Sequence, residues 1–273
     1  MGVLSIWRYP VKAMLGELLR SAKLGPGGLV GDRRWVVRDA ATGEQVANKR
    51  GLTDPLLREC RAQLDDDETL RITAPDGTTE ARGASAAAEL LSHLLNRRVV
   101  LDEHAGAGDR FLHTSGHHDF APLHVLTTGS LAYMRRVAPD SDWDPRRFRP
   151  NLLLDDGATG EELGEDNLLG TKLRAPSGAT LDVLLPTPRC VVPTRAREEL
   201  PRDPTMLRSI ARESRWDLGP FGRPACLGSY AQVAASGDVG VGDRLSVSRR
   251  RSRTAQAVIA ATVARVQAHL HAD

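Results

Sequence analysis

Leu181-Asp182-Val183-Leu184-Leu185-Pro186-Thr187-Pro188-Arg189-Cys190-Val191-Val192-Pro193-Thr194 reads as a buried strand running into a loop that carries a thiol. The prolines on either side of Cys190 stiffen the loop and limit its continuation as helix or inner strand. Arg189 places a permanent positive charge beside the sulfur, an arrangement that favours thiolate, the form that binds soft metals and attacks electrophiles. Taken alone, such a cysteine is more often a small apolar filler. The remaining sequence has to decide between the two readings.

To either side, the chain alternates short strands with turns. Val3–Arg8 is apolar and ends at Tyr9-Pro10, Arg34–Arg38 is followed by a hairpin turn ending at Gly43, and Leu70–Thr73 precedes the turn Pro75-Asp76-Gly77. The period changes over Ala84–Asn96, where Leu90, Leu91, Leu94 and Leu95 share a helical face. The polar, glycine-containing stretch Glu103–Gly116 is the best candidate for a boundary or a mobile loop. Beyond it, strands are expected at Leu123–Leu126, Asn151–Leu154, Cys226–Ala235 and Arg244–Val247, with helices from Ser130 to Val137 and from Asp203-Pro204. Val258, Ile259, Thr262, Val263, Val266 and Leu270 recur at helical spacing, so a final amphipathic helix covers either this barrel or a second subunit. The expected fold class is β-rich mixed α/β.

A chain of 273 residues with net charge +2 does not call for nucleic acid as a partner. Cys60, Cys190 and Cys226 are too few for a disulfide framework and lack the spacing of a zinc or iron–sulfur site, which fits a reducing cytoplasm. No stretch approaches the roughly 20 apolar residues of a membrane span, so neither secretion nor an anchor is expected.

Four further motifs sit at strand ends: Tyr9-Pro10-Val11-Lys12, Gly31-Asp32-Arg33-Arg34-Trp35, Phe148-Arg149-Pro150-Asn151 and Val239-Gly240-Val241-Gly242-Asp243. Lys12, Arg33 and Arg149 together suit a phosphate, because guanidinium forks bind its oxygens bidentately and lysine adds a point charge. The Asn151 amide suits a heterocycle. His113, His117, His118 and His124, with Asp119 beside the pair, have ligand chemistry but match no zinc spacing, and His117 or His118 is better placed to supply a proton. Arg249-Arg250-Arg251 reads as a solvated strand end, with docking of an acidic redox partner, together with Arg253, as the alternative.

These motifs, with Arg189-Cys190, occur in the order found in MOSC-domain proteins that carry an N-terminal β-barrel domain, and the chain resembles that family over roughly residues 1–248. The resemblance implies a β-barrel-like domain at 1–108, a MOSC β-barrel with peripheral helices at 109–248 and a C-terminal helix at 249–273. In members similar to the mitochondrial amidoxime-reducing component, the cysteine ligates the molybdenum of a pterin dithiolene cofactor. By that resemblance Cys190 is the metal ligand and catalytic residue, Lys12, Arg33 and Arg149 hold the pterin phosphate, and Asn151 and Arg189 line the cofactor.

Two departures from the pattern stand out. Ala13 replaces a common serine, and Asp119-Phe120-Ala121-Pro122 replaces a threonine-serine pair, leaving the backbone amides of Phe120 and Ala121 for the phosphate. The implied activity is reduction of small N-hydroxylated or N-oxygenated compounds. No flavin fingerprint or ferredoxin cysteine spacing is present, so the electrons are expected from a separate transfer protein. The alternatives are a sulfur carrier, with a Cys190 persulfide received from a pyridoxal-phosphate enzyme, or a non-catalytic molybdopterin-binding module. Monomer and homodimer both remain open.

Overall fold

The computed structural model describes residues 1–47, 54–104, 117–118, 120–249 and 255–270. The first unit contributes β1 (Gly2–Arg8), β2 (Glu17–Leu19), β3 (Ser21–Gly25), β4 (Gly28–Leu29), β5 (Trp35–Asp39), helix α1 (Pro55–Glu59), β6 (Arg61–Leu64), β7 (Leu70–Thr73), β8 (Glu80–Arg82), α2 (Ala84–Leu94) and β9 (Val99–Glu103). The second contributes β10 (Leu123–Thr127), α3 (Thr128–Val137), β11 (Leu152–Asp155), α4 (Glu165–Leu168), β12 (Thr171–Arg174), β13 (Thr180–Pro188), α5 (Met206–Glu213), β14 (Cys226–Ala235), β15 (Gly237–Gly240), β16 (Ser246–Arg249) and α6 (Ala255–Leu270).

Eight strands form one sheet in the order β16-β12-β13-β14-β10-β11-β1-β2, antiparallel except for the β10–β11 pair. The residues just before β16 return to β1: Val3 donates to the Asp243 carbonyl and Leu245 to that of Met1, at 2.9 and 2.8 Å. This pairing brings the β16 side of the sheet round to β1, which removes an open edge and gives the sheet its barrel form. Its interior is filled by Ile6, Leu123, Val125, Leu152, Leu181 and Val183, all 3% exposed or less. β13 is buried along nearly its whole length because it is flanked on both sides, by β12 and β14.

The prolines do not stop this strand. β13 runs through Pro186 to Pro188, and its register with β14 shifts between Val183 and Leu185 and again between Pro186 and Pro188. Such irregularities accommodate residues that cannot donate to the ladder. The loop that bears Cys190 therefore begins only after Pro188.

The first unit builds its own core from Trp35, Val37, Leu57, Ile72 and Leu91, with α2 packed over β7, β8 and β9. The expected division at residue 108 lies outside the described residues, and hydrogen bonding connects the two units across it. β1 pairs with β11, and β3 pairs with β15. α5 starts at Met206, two residues after Pro204, because the Asp203 carboxylate accepts from the Thr205 and Met206 amides and closes a turn ahead of the helix. In α6, Ile259 and Val263 pack into the barrel core, so this face of the helix covers its own barrel. Among the described residues no helix is long and apolar enough to cross a membrane.

Candidate functional site

Lys12 and Arg33 are brought together by backbone pairing between their two motifs. Trp35 donates to the Pro10 carbonyl and Lys12 to the Trp35 carbonyl, at 3.0 and 2.9 Å, while Arg33 donates to the Tyr9 carbonyl at 2.7 Å. Asp32, buried to 5% exposure, locks this junction: one carboxylate oxygen accepts from the Tyr9 amide at 2.7 Å and the other pairs with the Arg33 guanidinium. Arg149 arrives from the second unit, at the end of a short 3-10 turn over Pro145–Phe148 that Asp144 caps. Its guanidinium donates to the Met14 carbonyl and lies 4.1 Å from the centre of the Tyr9 ring, with that of Arg33 5.0 Å from the same ring. Tyr9 is thus a buried aromatic platform shared by two cations. Burial pushes its phenol up to about 12, so it remains neutral.

Lys12, Arg33 and Arg149 line a cleft of about 330 Å³ that also receives Cys190, Arg189 and Phe120. Among the described residues, six Lys or Arg side chains line it (Lys12, Arg33, Arg58, Arg147, Arg149 and Arg189) and no Asp or Glu does. Burial, with Arg197 close by, pulls the Arg149 guanidinium down to about 9, a sign of cations crowded in a poorly solvated place. Ala13, Arg33 and Arg149 all adopt left-handed backbone, with φ of 73°, 48° and 53°. Such conformations cost non-glycine residues of order 1–3 kcal/mol and collect at functional sites. Here they aim two arginines and the residue after Lys12 into one cleft.

The thiol wall is held differently. Cys190 is exposed, whereas Cys60 and Cys226 are buried and burial pushes the Cys60 thiol up to about 11. Arg189 donates to the Leu227 carbonyl at 2.7 Å and the Phe148 carbonyl at 3.1 Å and contacts His124 Nε2, so its guanidinium braces the cleft wall. A guanidinium can only donate, which makes Nε2 the acceptor and leaves the His124 proton on Nδ1. Burial and the adjacent Arg189 hold His124 well below its ordinary pKa. Arg147 is buried and donates to the Pro201 carbonyl at 2.9 Å and that of Pro193 at 3.4 Å, bracing the segment that follows Cys190.

Asn151 and Ala121 lie outside the cleft lining. Asn151 is 1% exposed, and its amide is committed to the chain: Oδ1 accepts from the His124 amide at 3.1 Å and from Arg33 at 3.3 Å, and Nδ2 donates to the Trp7 carbonyl. It joins β1, β10 and Arg33 where the sequence suggested a heterocycle contact. Ala121 is buried at 4% exposure. Phe120 does line the cleft, stacked on Tyr230 with ring centroids 6.1 Å apart and meeting Phe221 edge-on at 5.4 Å.

His117 also lines the cleft, with Nε2 3.1 Å from the Asp102 carbonyl, and burial lowers its pKa. His118 faces Asp32 at 3.9 Å. His113, Asp119, Arg250, Arg251 and Arg253 lie outside the described residues, and among the described ones no group of three His, Cys, Asp or Glu could hold a metal. Asp182 pairs with Lys172 at 2.9 Å, on the strands rather than in the cleft.

Sequence reading missed Arg58, Arg147, Thr187 and Tyr230 as lining residues, and gave no role to Tyr9 or Asp32 although both stand in its motifs. Arg58 lies on α1, in the first unit, and has no motif around it. Thr187 is 2% exposed, and its hydroxyl has no hydrogen-bond partner among the described residues.

Residues 1–102 match the MOSC N-terminal beta barrel domain and residues 112–246 match the MOSC domain. The chain belongs to the MOSC-domain proteins with an N-terminal β-barrel domain. No curated protein matches it. Among solved structures, it is similar to the YuaD protein from Bacillus subtilis, with 11% identity, 91% of this chain and 96% of that one covered, and a TM-score of 0.46. It is also similar to YiiM from Geobacillus stearothermophilus (15% identity, 52% and 63% covered, TM-score 0.35) and YiiM from Escherichia coli (17%, 51% and 61%, 0.33).

Proposed function

We propose that the cleft binds a molybdenum pterin dithiolene cofactor and that the loaded protein reduces N-hydroxylated or N-oxygenated compounds with electrons from a separate transfer protein. The observation that carries this reading is the meeting, among the described residues, of an exposed thiol with six cations and no carboxylate in the lining of one cleft.

The donor set fits such a group part by part. Lys12, Arg33 and Arg149 would hold the phosphate, with Arg149 and Arg33 fixed in direction by Tyr9. Cys190 would be the soft ligand to the metal. Thr187 supplies a buried hydroxyl in need of a partner, as a polar heterocycle would provide. When bound, the cofactor would supply two-electron reduction of an N–O bond, chemistry that no side chain in the cleft can perform.

The chain's own residues complete the site. Phe120 and Tyr230 form an apolar wall that restricts water. His117 donates its Nε2 proton to the Asp102 carbonyl, which leaves Nδ1 to take up a proton and relay it to the departing oxygen. Neutral His124 and the carbonyls of Leu227 and Phe148 keep Arg189 in the wall, with the cysteine next in the chain.

Protein purified from cells that make the cofactor should contain molybdenum and pterin in about equal amounts with the chain, and should reduce hydroxylamines with a reduced dye. Cys190→Ala should lose the metal or the turnover. Full metal content and full activity in that variant would sink the assignment. A labile additional sulfur on Cys190 without pterin would replace it with the sulfur-carrier reading.

A further inference from the structure

Beyond Cys190 the chain folds back on itself in a small hairpin, residues 194–203, whose legs and tip are held by different parts of the molecule. The Asp203 amide donates to the Thr194 carbonyl at 2.9 Å, and Arg197 and Leu200 exchange backbone hydrogen bonds at 3.0 and 2.8 Å, which leaves Glu198 and Glu199 at the tip. Arg147, itself in the cleft lining, donates to the Pro193 and Pro201 carbonyls and so holds both legs. Glu198 stands at φ +49° in the first central position of the turn, where glycine would sit without strain.

The carboxylate at this strained position joins two arginines that belong to different segments. One oxygen pairs with Arg61 of the first unit, and the other lies 3.4 Å from Arg146 of the 3-10 turn. Arg61 opens β6, is bridged to Leu15, and also donates to the Gly16 carbonyl at 2.8 Å, so it is anchored to the backbone that continues from Lys12 and Ala13. Arg146 belongs to the turn that ends in Arg149, whose guanidinium donates to the Met14 carbonyl of that same backbone. The segments that carry the thiol, Arg149 and Lys12 therefore meet at Glu198, which does not itself line the cleft. Arg146 also pairs with Asp144 at 2.9 Å and Glu199 at 2.7 Å, so loss of the Glu198 carboxylate removes chiefly the contact between the units.

We infer that Glu198 is a positioning residue: by pairing with Arg61 it sets the distance across the cleft between the thiol loop and the Lys12 segment, and with it the span offered to a group held by its phosphate at one end and its metal at the other. The first half of that statement stands on the geometry, and only the second rests on the cofactor reading. The pair is partly solvated, at 36% and 21% exposure, so it contributes little to global stability and acts on the relative placement of the segments it joins.

The test joins Cys190 to Lys12 in the cofactor-free, full-length chain with maleimide–succinimide linkers of graded length, the cross-linked peptides being read by mass spectrometry. Cys190 is the exposed cysteine, so the maleimide reacts there first. With the shortest linker that works in wild type, Glu198→Gln and Arg61→Gln should each cut the yield by roughly two- to fivefold, the worth of one partly exposed ion pair. The double variant should lose no more than either single one, because both remove the same contact, and Arg61→Lys should keep part of the yield. A longer linker should restore it in every variant, and the thermal midpoint of Glu198→Gln should fall by no more than about 4 °C, which separates misplacement from unfolding. An unchanged yield with the short linker, a loss that the long linker does not restore, additive losses in the double variant, or no cross-link in wild type at any length would overturn the inference. In the cofactor-loaded protein, Glu198→Gln should lose molybdenum faster by the same factor during gel filtration. Altered cross-linking with unchanged metal retention would uphold the cleft distance and reject its service to the cofactor. Failure of wild type to take up any cofactor would reject the reductase reading, with the cross-linking still deciding the role of Glu198.

Discussion

Replacing Asp32 by alanine probes how the two phosphate-side motifs are joined. Its carboxylate is fully buried; one oxygen accepts from the Tyr9 amide at 2.7 Å and the other pairs with Arg33, whose own side chain is 16% exposed. Alanine strands a buried amide, which costs about 1–3 kcal/mol, and removes the carboxylate partner of a poorly solvated guanidinium. Breaking a buried pair from one side costs about 3–5 kcal/mol in all. Asp32→Asn keeps the acceptor for Tyr9 and loses only the charged contact, so its cost should fall to about 1.5–3 kcal/mol, the range for hydrogen bonds to charged groups. Urea unfolding of the two variants beside wild type, at unchanged m-value, measures both numbers. A loss below about 1 kcal/mol for Asp32→Ala, or equal losses for the two variants, would show that Asp32 does not lock this junction and that Arg33 is positioned by something else.

Gly228 sits at φ +81°, and a Cβ there would overlap His124 Nε2 and come within 3.0 Å of Arg189 Nη2. Gly228→Ala should therefore lose about 3 kcal/mol or more to strain and overpacking, seen in thermal unfolding, and should weaken cofactor retention together with it. His124 is neutral in the fold because its pKa lies well below the ordinary value. As pH falls through about 6.5 the unfolded chain takes up a proton that the folded one refuses, so stability should drop by up to about 1.4 kcal/mol per pH unit until the folded pKa is reached. Urea midpoints at pH 7.5 and 5.5 should differ less in His124→Gln than in wild type, and an identical difference would assign the acid sensitivity elsewhere.

The local grammar of this chain was legible before any coordinates. Strand ends at Arg8 and Ala235 and the face of α2 follow from apolar periodicity and turn residues, which depend on neighbours a few positions away. The prolines around Cys190 misled on one point, since β13 absorbs Pro186 and Pro188 through register shifts that require β14 beside it. Asn151 misled on another. Its amide suggested a ligand, yet the fold spends it on Trp7, His124 and Arg33, groups that come together only when β1, β10 and β11 pair.

By itself, then, the sequence determined the class of fold, the order of the motifs, and which thiol and which cations were candidates, because residue type and short-range spacing carry that information. Only the tertiary structure decided that Lys12, Arg33, Arg149 and Cys190 share one cleft, that Arg189 braces its wall, and that Arg58 enters it from the other unit. Those facts depend on strand pairings between residues more than a hundred positions apart, such as Ile6 with Leu152, which no local pattern encodes.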